Sequence, residues 1–86
     1  MPSFTAEVRI KLKKGVADPE GLNTKRALEL LGFGTVTEVA SVRTFEITLG
    51  AKDSGSAKSL IEDMCRRLLA NPVIHNFSIS IKKARP

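Results

Sequence analysis

The residues that could act in covalent catalysis are a single cysteine, Cys65, and a single histidine, His75. Nucleophilic catalysis needs a nucleophile held beside a base, with a third group that orients the base. Cys65 lies within an apolar helical pattern, where a cysteine usually behaves as a small buried side chain with an unreactive thiol. His75 lies beyond Pro72, which ends that helix, and we expect it in a surface loop. The sequence therefore predicts no paired nucleophile and base.

The remaining polar residues indicate neither acid–base chemistry nor a metal site. One histidine and one cysteine are too few to form a zinc site of the usual ligand number and spacing. The segment Gly32-Phe33-Gly34 follows a helix and precedes a strand, the reverse of a dinucleotide-binding loop, and predicts a turn. We expect no catalytic residue, no bound cofactor and no metal. The glutamates outside the second predicted helix are scattered among basic residues, with no pair placed for proton transfer: Glu7, Glu20, Glu29, Glu38 and Glu46.

The length of the chain favours one small domain, residues 1–86. A domain of this size buries only about 60% of its unfolded surface, so we expect self-association. No apolar run approaches the roughly 20 residues of a membrane span, and the N-terminus lacks the apolar block of a signal peptide. A lone cysteine excludes an internal disulfide and fits a reducing compartment. We therefore expect a cytoplasmic protein that does not associate with membranes.

The net charge of +5 is compatible with binding to nucleic acid or to an acidic protein. The basic clusters lie at predicted strand ends, where lysines also protect sheet edges from unwanted pairing. RNA recognition on a sheet needs aromatic residues on its exposed face, but Phe4, Phe45 and Phe77 fall in phase with the buried face. We therefore expect no nucleic acid partner. The clusters are Lys11, Lys13 and Lys14, and Lys82, Lys83 and Arg85.

The strongest structural pattern is a helix that returns into a strand, between Ser59 and Ile81. After Pro72 ends the helix, Phe77, Ile79 and Ile81 alternate with polar residues, as in a strand with one buried face. The helix carries an apolar face that we expect to be buried. Its residues are Leu60, Ile61, Met64, Cys65, Leu68 and Leu69.

The first half of the chain predicts a strand, a helix and two further strands. Alternation from Phe4 to Lys13 indicates a long, half-buried strand. Asp18-Pro19 is a strong helix start, and the helix should run from Pro19 to Leu31, with Gly32 as its stop. Two strands follow, joined by a hairpin at Val42-Arg43 or merged into one long bent strand: 36–41 and 44–49.

The order of elements is β-α-β-β-α-β, which favours a two-layer α+β sandwich. We expect a four-stranded antiparallel sheet with both helices on one face, as in ferredoxin-like folds. The same topology is common among regulatory domains that bind small ligands at a subunit interface. A dimeric ligand-binding regulatory domain is therefore an alternative function that the fold leaves open.

Two segments resemble a known family, PurS, the small subunit of formylglycinamide ribonucleotide amidotransferase. The run from Met64 to Ile74, followed by Phe77 at the start of a strand, closely resembles the helix-to-strand segment of that family. The run from Val16 to Gly21 resembles its V-x-D-P-x-G helix start. The order of elements and the length match from end to end. Where the family usually carries Gly-Lys, this chain has Val42-Arg43, which keeps the basic charge.

The resemblance implies a non-catalytic subunit of an ATP- and glutamine-dependent ligase in purine biosynthesis. PurS-like chains form homodimers, which can pair into tetramers, and join a glutaminase subunit, PurQ, to a synthetase subunit, PurL. Glutamine hydrolysis in one subunit then supplies ammonia to the other. The complex would use ATP, magnesium and glutamine, with none of them bound by this chain.

We expect the first turn of helix 1 and the hairpin basic residue to lie at a subunit interface. Gly21 stands in that first turn, where glycine costs about 1 kcal/mol relative to alanine. Either the helix is loosely patterned, or another chain approaches this turn closely. The candidate interface residues are Asp18, Gly21, Leu22 and Arg43.

Overall fold

Alternating apolar side chains place the first strand, β1 (Ser3–Leu12), at the centre of the sheet. In the computed structural model, which describes residues 1–83, β1 lies between β2 (Val42–Gly50) and β3 (His75–Lys83). Both neighbours run antiparallel to β1. Val8 stands in register with Phe45 on one side and Ile79 on the other, so apolar rows cross one face of the sheet.

Within residues 1–83, two α-helices accompany the sheet: α1 (Pro19–Leu30) and α2 (Ser54–Met64). Asp18 caps α1 as predicted, and Gly32 follows the helix with a φ of 98°, the left-handed conformation that favours glycine at a helix end. Asp53 caps α2 by accepting the N–H of Ser56 at 2.7 Å. After α2 the chain continues as a π-helical segment, Cys65–Leu69.

The core lies between α2 and the sheet. Val8 and Ala6 of β1 are fully buried there, together with Ile61 and Cys65. The apolar face predicted for the second helix, which spans α2 and the π-helical segment, is only half correct, because Leu60, Met64 and Leu68 are exposed. The π-helical turn contributes to this result: Ala70 N–H donates to the Cys65 carbonyl at 2.9 Å, an i→i+5 bond that places an extra residue in the turn.

The predicted four-stranded sheet is wrong, since the described residues form three strands. The segment 36–41 is not a strand. Its end returns beside α1, where Ser41 bonds to Asp18, so its backbone takes no part in the sheet. The predicted hairpin at Val42-Arg43 is also wrong, because these residues begin β2.

The prediction that both helices cover one face of the sheet is wrong as well. No residue of α1 belongs to either buried core cluster or to the apolar residues packed against them. Instead α1 and the segment after it form a projection, residues 19–41, which we call the arm. The radius of gyration is 16.6 Å, compared with about 12 Å for a compact domain of this length.

The arm exposes apolar side chains at its far end. Leu30 and Leu31 keep 90% and 74% of their surface exposed, and Phe33 is also exposed. Residues 84–86, with the predicted basic residue Arg85, lie outside the described residues. No helix within residues 1–83 combines the length and the apolar character needed to cross a membrane.

The packing of α2 predicts a large difference between two substitutions on the same helix. Ile61→Ala should lower the free energy of unfolding by about 2–5 kcal/mol, because Ile61 is completely buried. Lys58→Ala, at an exposed position, should change it by less than about 0.5 kcal/mol. Urea titration followed by circular dichroism measures both. Similar losses for the two variants would contradict this packing.

Candidate protein-interaction surface

The carboxylate of Asp18 joins the two ends of the arm. It accepts the backbone N–H of Gly21 at 3.0 Å and the backbone N–H of Ser41 at 2.8 Å. It also accepts the hydroxyl of Ser41 at 2.7 Å. The hydrogen bonds from Ser41 and Gly21 favour the ionised form and hold the pKa of Asp18 below its ordinary value. One side chain therefore caps α1 and fixes the arm beside the start of β2.

Gly21 is required by close packing within the arm. A Cβ atom at this position would lie 2.5 Å from the Val39 carbonyl oxygen and 2.6 Å from the Asp18 carboxylate. Real Cβ atoms do not approach other atoms so closely, so only glycine fits without displacement of the backbone. The close approach at this first turn thus comes from the chain's own Val39.

An open groove of about 680 Å³ separates the base of the arm from the end of the sheet. Ile10, Leu12 and Leu69 give it an apolar surface. Glu20 of α1 and Arg43 of β2 add opposite charges. A groove with this mixture of apolar and charged groups suits contact with a protein surface, where apolar burial supplies affinity and charge supplies orientation.

A second groove, of about 540 Å³, lies at the base of the arm and is lined mainly by basic and acidic residues together with backbone of the segment before β2. Lys11, Lys13 and Lys14 line it, with Asp18 and Glu38 as acidic neighbours. The first predicted basic cluster is thus assembled at the base of the arm.

The structure brings three of the four predicted interface residues together. Asp18 and Gly21 are hydrogen-bonded, and Gly21 and Arg43 line the same groove. Leu22 does not line that groove, and its side chain is exposed. Contact of these residues with another chain stays a prediction.

Sequence reasoning missed a further set of candidate contacts, the exposed apolar side chains of α2 and of the π-helical segment after it. Leu60, Met64 and Leu68 follow one another at i, i+4 and i+8. The spacing was visible in the sequence. The pattern gave no sign that α1 would leave this side of α2 uncovered.

Cys65 and His75, the two residues considered for catalysis, both take part in the folded structure. Cys65 is completely buried, as predicted, and burial raises the pKa of its thiol. His75 is the first residue of β3, so its placement in a surface loop is wrong. Its Nδ1 accepts the N–H of Asn71 at 2.9 Å. Within residues 1–83 no three potential metal-ligating side chains form a group.

Comparison with known proteins identifies the family. The model of the family PurS, Phosphoribosylformylglycinamidine (FGAM) synthase, matches residues 5–83. The FGAM synthase subunit PurS of Archaeoglobus fulgidus is 51% identical over 74 residues, covering 86% of this chain and 92% of that protein. Its Methanocaldococcus jannaschii counterpart is 45% identical over 80 residues, covering 93% and 96%. This chain belongs to the PurS family.

Solved PurS structures share the fold of this PurS-family chain. The crystal structure of Methanocaldococcus jannaschii PurS, 44% identical, superposes with a TM-score of 0.86 over 95% of this chain and 99% of that chain. A chain in the structure of PurLQS from Thermotoga maritima is 22% identical, with a TM-score of 0.87 over 95% of this chain and 100% of that one. The arm is more than a quarter of the sequence, so scores this high require it to project similarly in both structures.

The close packing at Gly21 predicts contrasting effects of two glycine substitutions in the PurS-family arm. Gly21→Ala should destabilise the arm, because its Cβ would meet the Val39 carbonyl at 2.5 Å. Gly34→Ala should be neutral or slightly stabilising, since no atom lies within 4 Å of the new Cβ. Amide hydrogen exchange at Ser41 reports the opening of the arm. Equal exchange in the two variants would contradict the assigned packing.

The Asp18 contacts predict an acid-sensitive arm. The pKa of Asp18 is lowered on folding, so its contribution is present above the unfolded pKa of about 3.9 and is lost as pH falls through the lower folded pKa. The Ser41 amide resonance should therefore titrate below about pH 4. In Asp18→Asn this titration should disappear. A titration that persists in the variant would show that another group controls the arm.

Proposed function

We propose that this chain is the PurS subunit that joins PurL and PurQ within phosphoribosylformylglycinamidine synthase, in purine biosynthesis. The observation that carries the proposal is the family match over residues 5–83. The name PurLQS, given to the Thermotoga maritima structure, places such a subunit in an assembly with PurL and PurQ.

The subunit acts by docking and contributes no catalytic group. Cys65 is buried with a raised thiol pKa, which leaves little of the reactive thiolate. The Nδ1 atom of His75 is occupied by the Asn71 N–H, a contact that belongs to the turn before β3. Both residues therefore have structural roles, and neither is placed to attack or protonate a substrate.

Docking serves the chemistry of the whole complex. PurQ releases ammonia from glutamine, and PurL uses ATP and magnesium to activate the formylglycinamide substrate. Ammonia that escapes to water is protonated and lost as a nucleophile, so the two sites must be held together. This chain binds neither ATP nor magnesium nor glutamine and supplies surfaces that fix the geometry.

The contact surface includes the four predicted residues in different roles. Leu22 and Arg43 are exposed, and in the proposed complex they touch a neighbouring subunit. Asp18 and Gly21 position them, because they fix α1 beside the start of β2. The subunit works in the cytoplasm as a homodimer, which can pair into tetramers, and requires neither nucleic acid nor a membrane. Its basic charge serves solubility and contact with protein partners.

The alternative of a ligand-binding regulatory domain has less support. It rested on a four-stranded ferredoxin-like sheet, and the described residues form three strands.

Reconstitution tests the proposed role. PurL and PurQ should show glutamine-dependent amidotransferase activity only when this chain is added. With ammonium chloride as nitrogen donor, PurL should be active without it, because no transfer between subunits is then needed. Equal glutamine-dependent activity with and without the chain would overturn the proposal.

A charge reversal tests the contact surface in the same assay. Arg43→Glu should lower glutamine-dependent activity by about tenfold at limiting concentrations of the chain, because a mispaired interfacial charge weakens docking. Lys58→Glu introduces the same charge change on the exposed side of α2 and should have little effect. Saturating Arg43→Glu should restore activity. If Arg43→Glu gives the same titration curve as the wild-type chain, Arg43 does not lie at the interface.

A further inference from the structure

The sheet has a polar face, opposite the core, that stays open to solvent in the described part of the chain. On the central strand its side chains are those between the buried positions: Thr5, Glu7, Arg9 and Lys11. All but Thr5 are exposed, and so are the polar side chains beside them on β2 and β3. Helix α2 packs on the other face, where the core lies. The polar face is therefore available to another molecule.

One end of the polar face carries a strip of positive charge, Arg9, Lys11, Lys13 and Lys14, which we call the basic strip. The Lys13 N–H donates to the Ile74 carbonyl at 2.8 Å, which extends the strand pairing past the end of β1. Alternation therefore places Lys13 on the same face as Arg9 and Lys11, with Cα atoms about 7 Å apart from one to the next. This spacing is shorter than the screening length of about 8 Å in physiological salt, so the potentials of neighbouring charges add.

The chain does not neutralise the basic strip. The ion pairs formed within residues 1–83 lie on the second helix, at Arg66 and Arg67, and neither involves the strip. The positive charge of the strip is therefore left for a partner. The residues in register with Arg9 and Lys11 on the two neighbouring strands are uncharged: Thr44, Ser78, Val42 and Asn76.

Neither edge protection nor nucleic acid explains the basic strip. Lysines protect a sheet from unwanted pairing when they stand on an edge strand, but β1 is the central strand, paired on both sides. The aromatic side chains on which nucleic acid bases could stack are absent from the polar face, because Phe4, Phe45 and Phe77 belong to the core or pack against it. The strip therefore suits the carboxylates of a protein better than a nucleic acid.

Acidic side chains limit the basic strip at both ends. Glu7 and Glu46 stand in register with each other on the polar face, beside Arg9. At the other end, Asp18 and Glu38 line the same groove of about 540 Å³ as the lysines. Carboxylates of a partner are repelled at both ends and attracted between them. This pattern of charge defines the register in which an acidic partner binds.

We propose that the basic strip binds an extended acidic segment of a partner subunit, with carboxylates at every second residue. Alternate side chains of an extended chain are about 7 Å apart, so one carboxylate stands beside each of Arg9, Lys11 and Lys13. The inference rests on the proposed function only for the existence of a partner subunit. It adds a second contact surface, separate from the groove that contains Arg43, and the chemistry of the segment that this surface recognises.

The strength of this contact follows from its exposure. A single exposed ion pair contributes little to affinity, so we expect the three pairs together to strengthen binding by about tenfold. Exposed charges act mainly on the rate and orientation of association. The contact should also weaken steeply as salt is added, because screening acts on every pair.

A titration of the isotope-labelled full chain, followed by NMR, tests the basic strip without any other subunit. The probe is a short peptide in which glutamate alternates with threonine, and the control peptide has glutamine in place of glutamate. The glutamate peptide should shift the amide signals of Arg9, Lys11 and Lys13 more than any others. About 0.3 M sodium chloride should remove most of this shift, and the glutamine peptide should cause none.

Three outcomes would overturn the proposal. Equal shifts at basic residues elsewhere, at Lys52, Lys58 and Lys83, would show only a general attraction to a chain of net charge +5. No shift at the strip in low salt would show that it does not bind carboxylates. A short DNA duplex whose shifts at the strip persist at about 0.3 M salt, where electrostatic attraction is screened, would assign the strip to nucleic acid.

Matched double substitutions test the basic strip within the reconstituted complex. Lys11→Glu with Lys13→Glu should raise the concentration of chain needed for half-maximal glutamine-dependent activity by about tenfold or more. Lys52→Glu with Lys58→Glu makes the same charge change at exposed positions away from the strip and should leave that concentration unchanged. If the first variant does not fold, Lys11→Gln with Lys13→Gln removes the same charges without reversing them.

The assay separates failure of this inference from failure of the proposed function. An unchanged half-maximal concentration for the strip variant, beside a wild-type chain that activates, would contradict the strip as a docking surface. A wild-type chain that does not activate would contradict the proposed function instead. In that case the peptide titration still decides whether the strip binds an acidic segment.

Discussion

A single helix covers too little of a three-stranded sheet, and this constraint governs the rest of the molecule. Helix α2 completes the core over β1 and β3, where Val8, Ile61 and Cys65 exclude water. The apolar residues of the two edge strands, β2 and β3, stay only partly buried, and Leu60, Met64 and Leu68 are exposed beside them. Hydrophobic surface of this extent favours association, so the fold and the proposed assembly role have the same physical origin.

Contacts at the base of the arm determine where α1 lies. Asp18 bonds to Ser41, and Gly21 lies against the Val39 carbonyl, so the segment before β2 belongs to the arm and not to the sheet. The same contacts place Arg43 and the lysine-lined groove beside α1. A few local hydrogen bonds thus separate a surface for protein contact from the compact part of the domain.

Local signals predicted most helix and strand positions and the family, but not the tertiary arrangement. Asp18-Pro19 predicted the start of α1, and alternation predicted β1 and β3, because capping and burial act within a few residues. The extra strand at 36–41 was predicted wrongly, because Ser41 bonds to Asp18 and the Val39 carbonyl lies against Gly21. Periodicity does not encode contacts between residues so far apart in the sequence. Leu60 and Leu68 had the spacing of buried residues, but their exposure depends on where α1 lies. The interface residues remain predictions for the same reason.

The dependence of thermal stability on protein concentration tests the central claim that one copy is incomplete alone. If a partner completes the core, unfolding is coupled to dissociation, and mass action stabilises the folded dimer as concentration rises. Melting of the isolated chain should shift upward by several degrees over about a hundredfold increase in concentration. A melting temperature that stays constant over that range, with the monomer mass of 9.3 kDa throughout, would contradict the account.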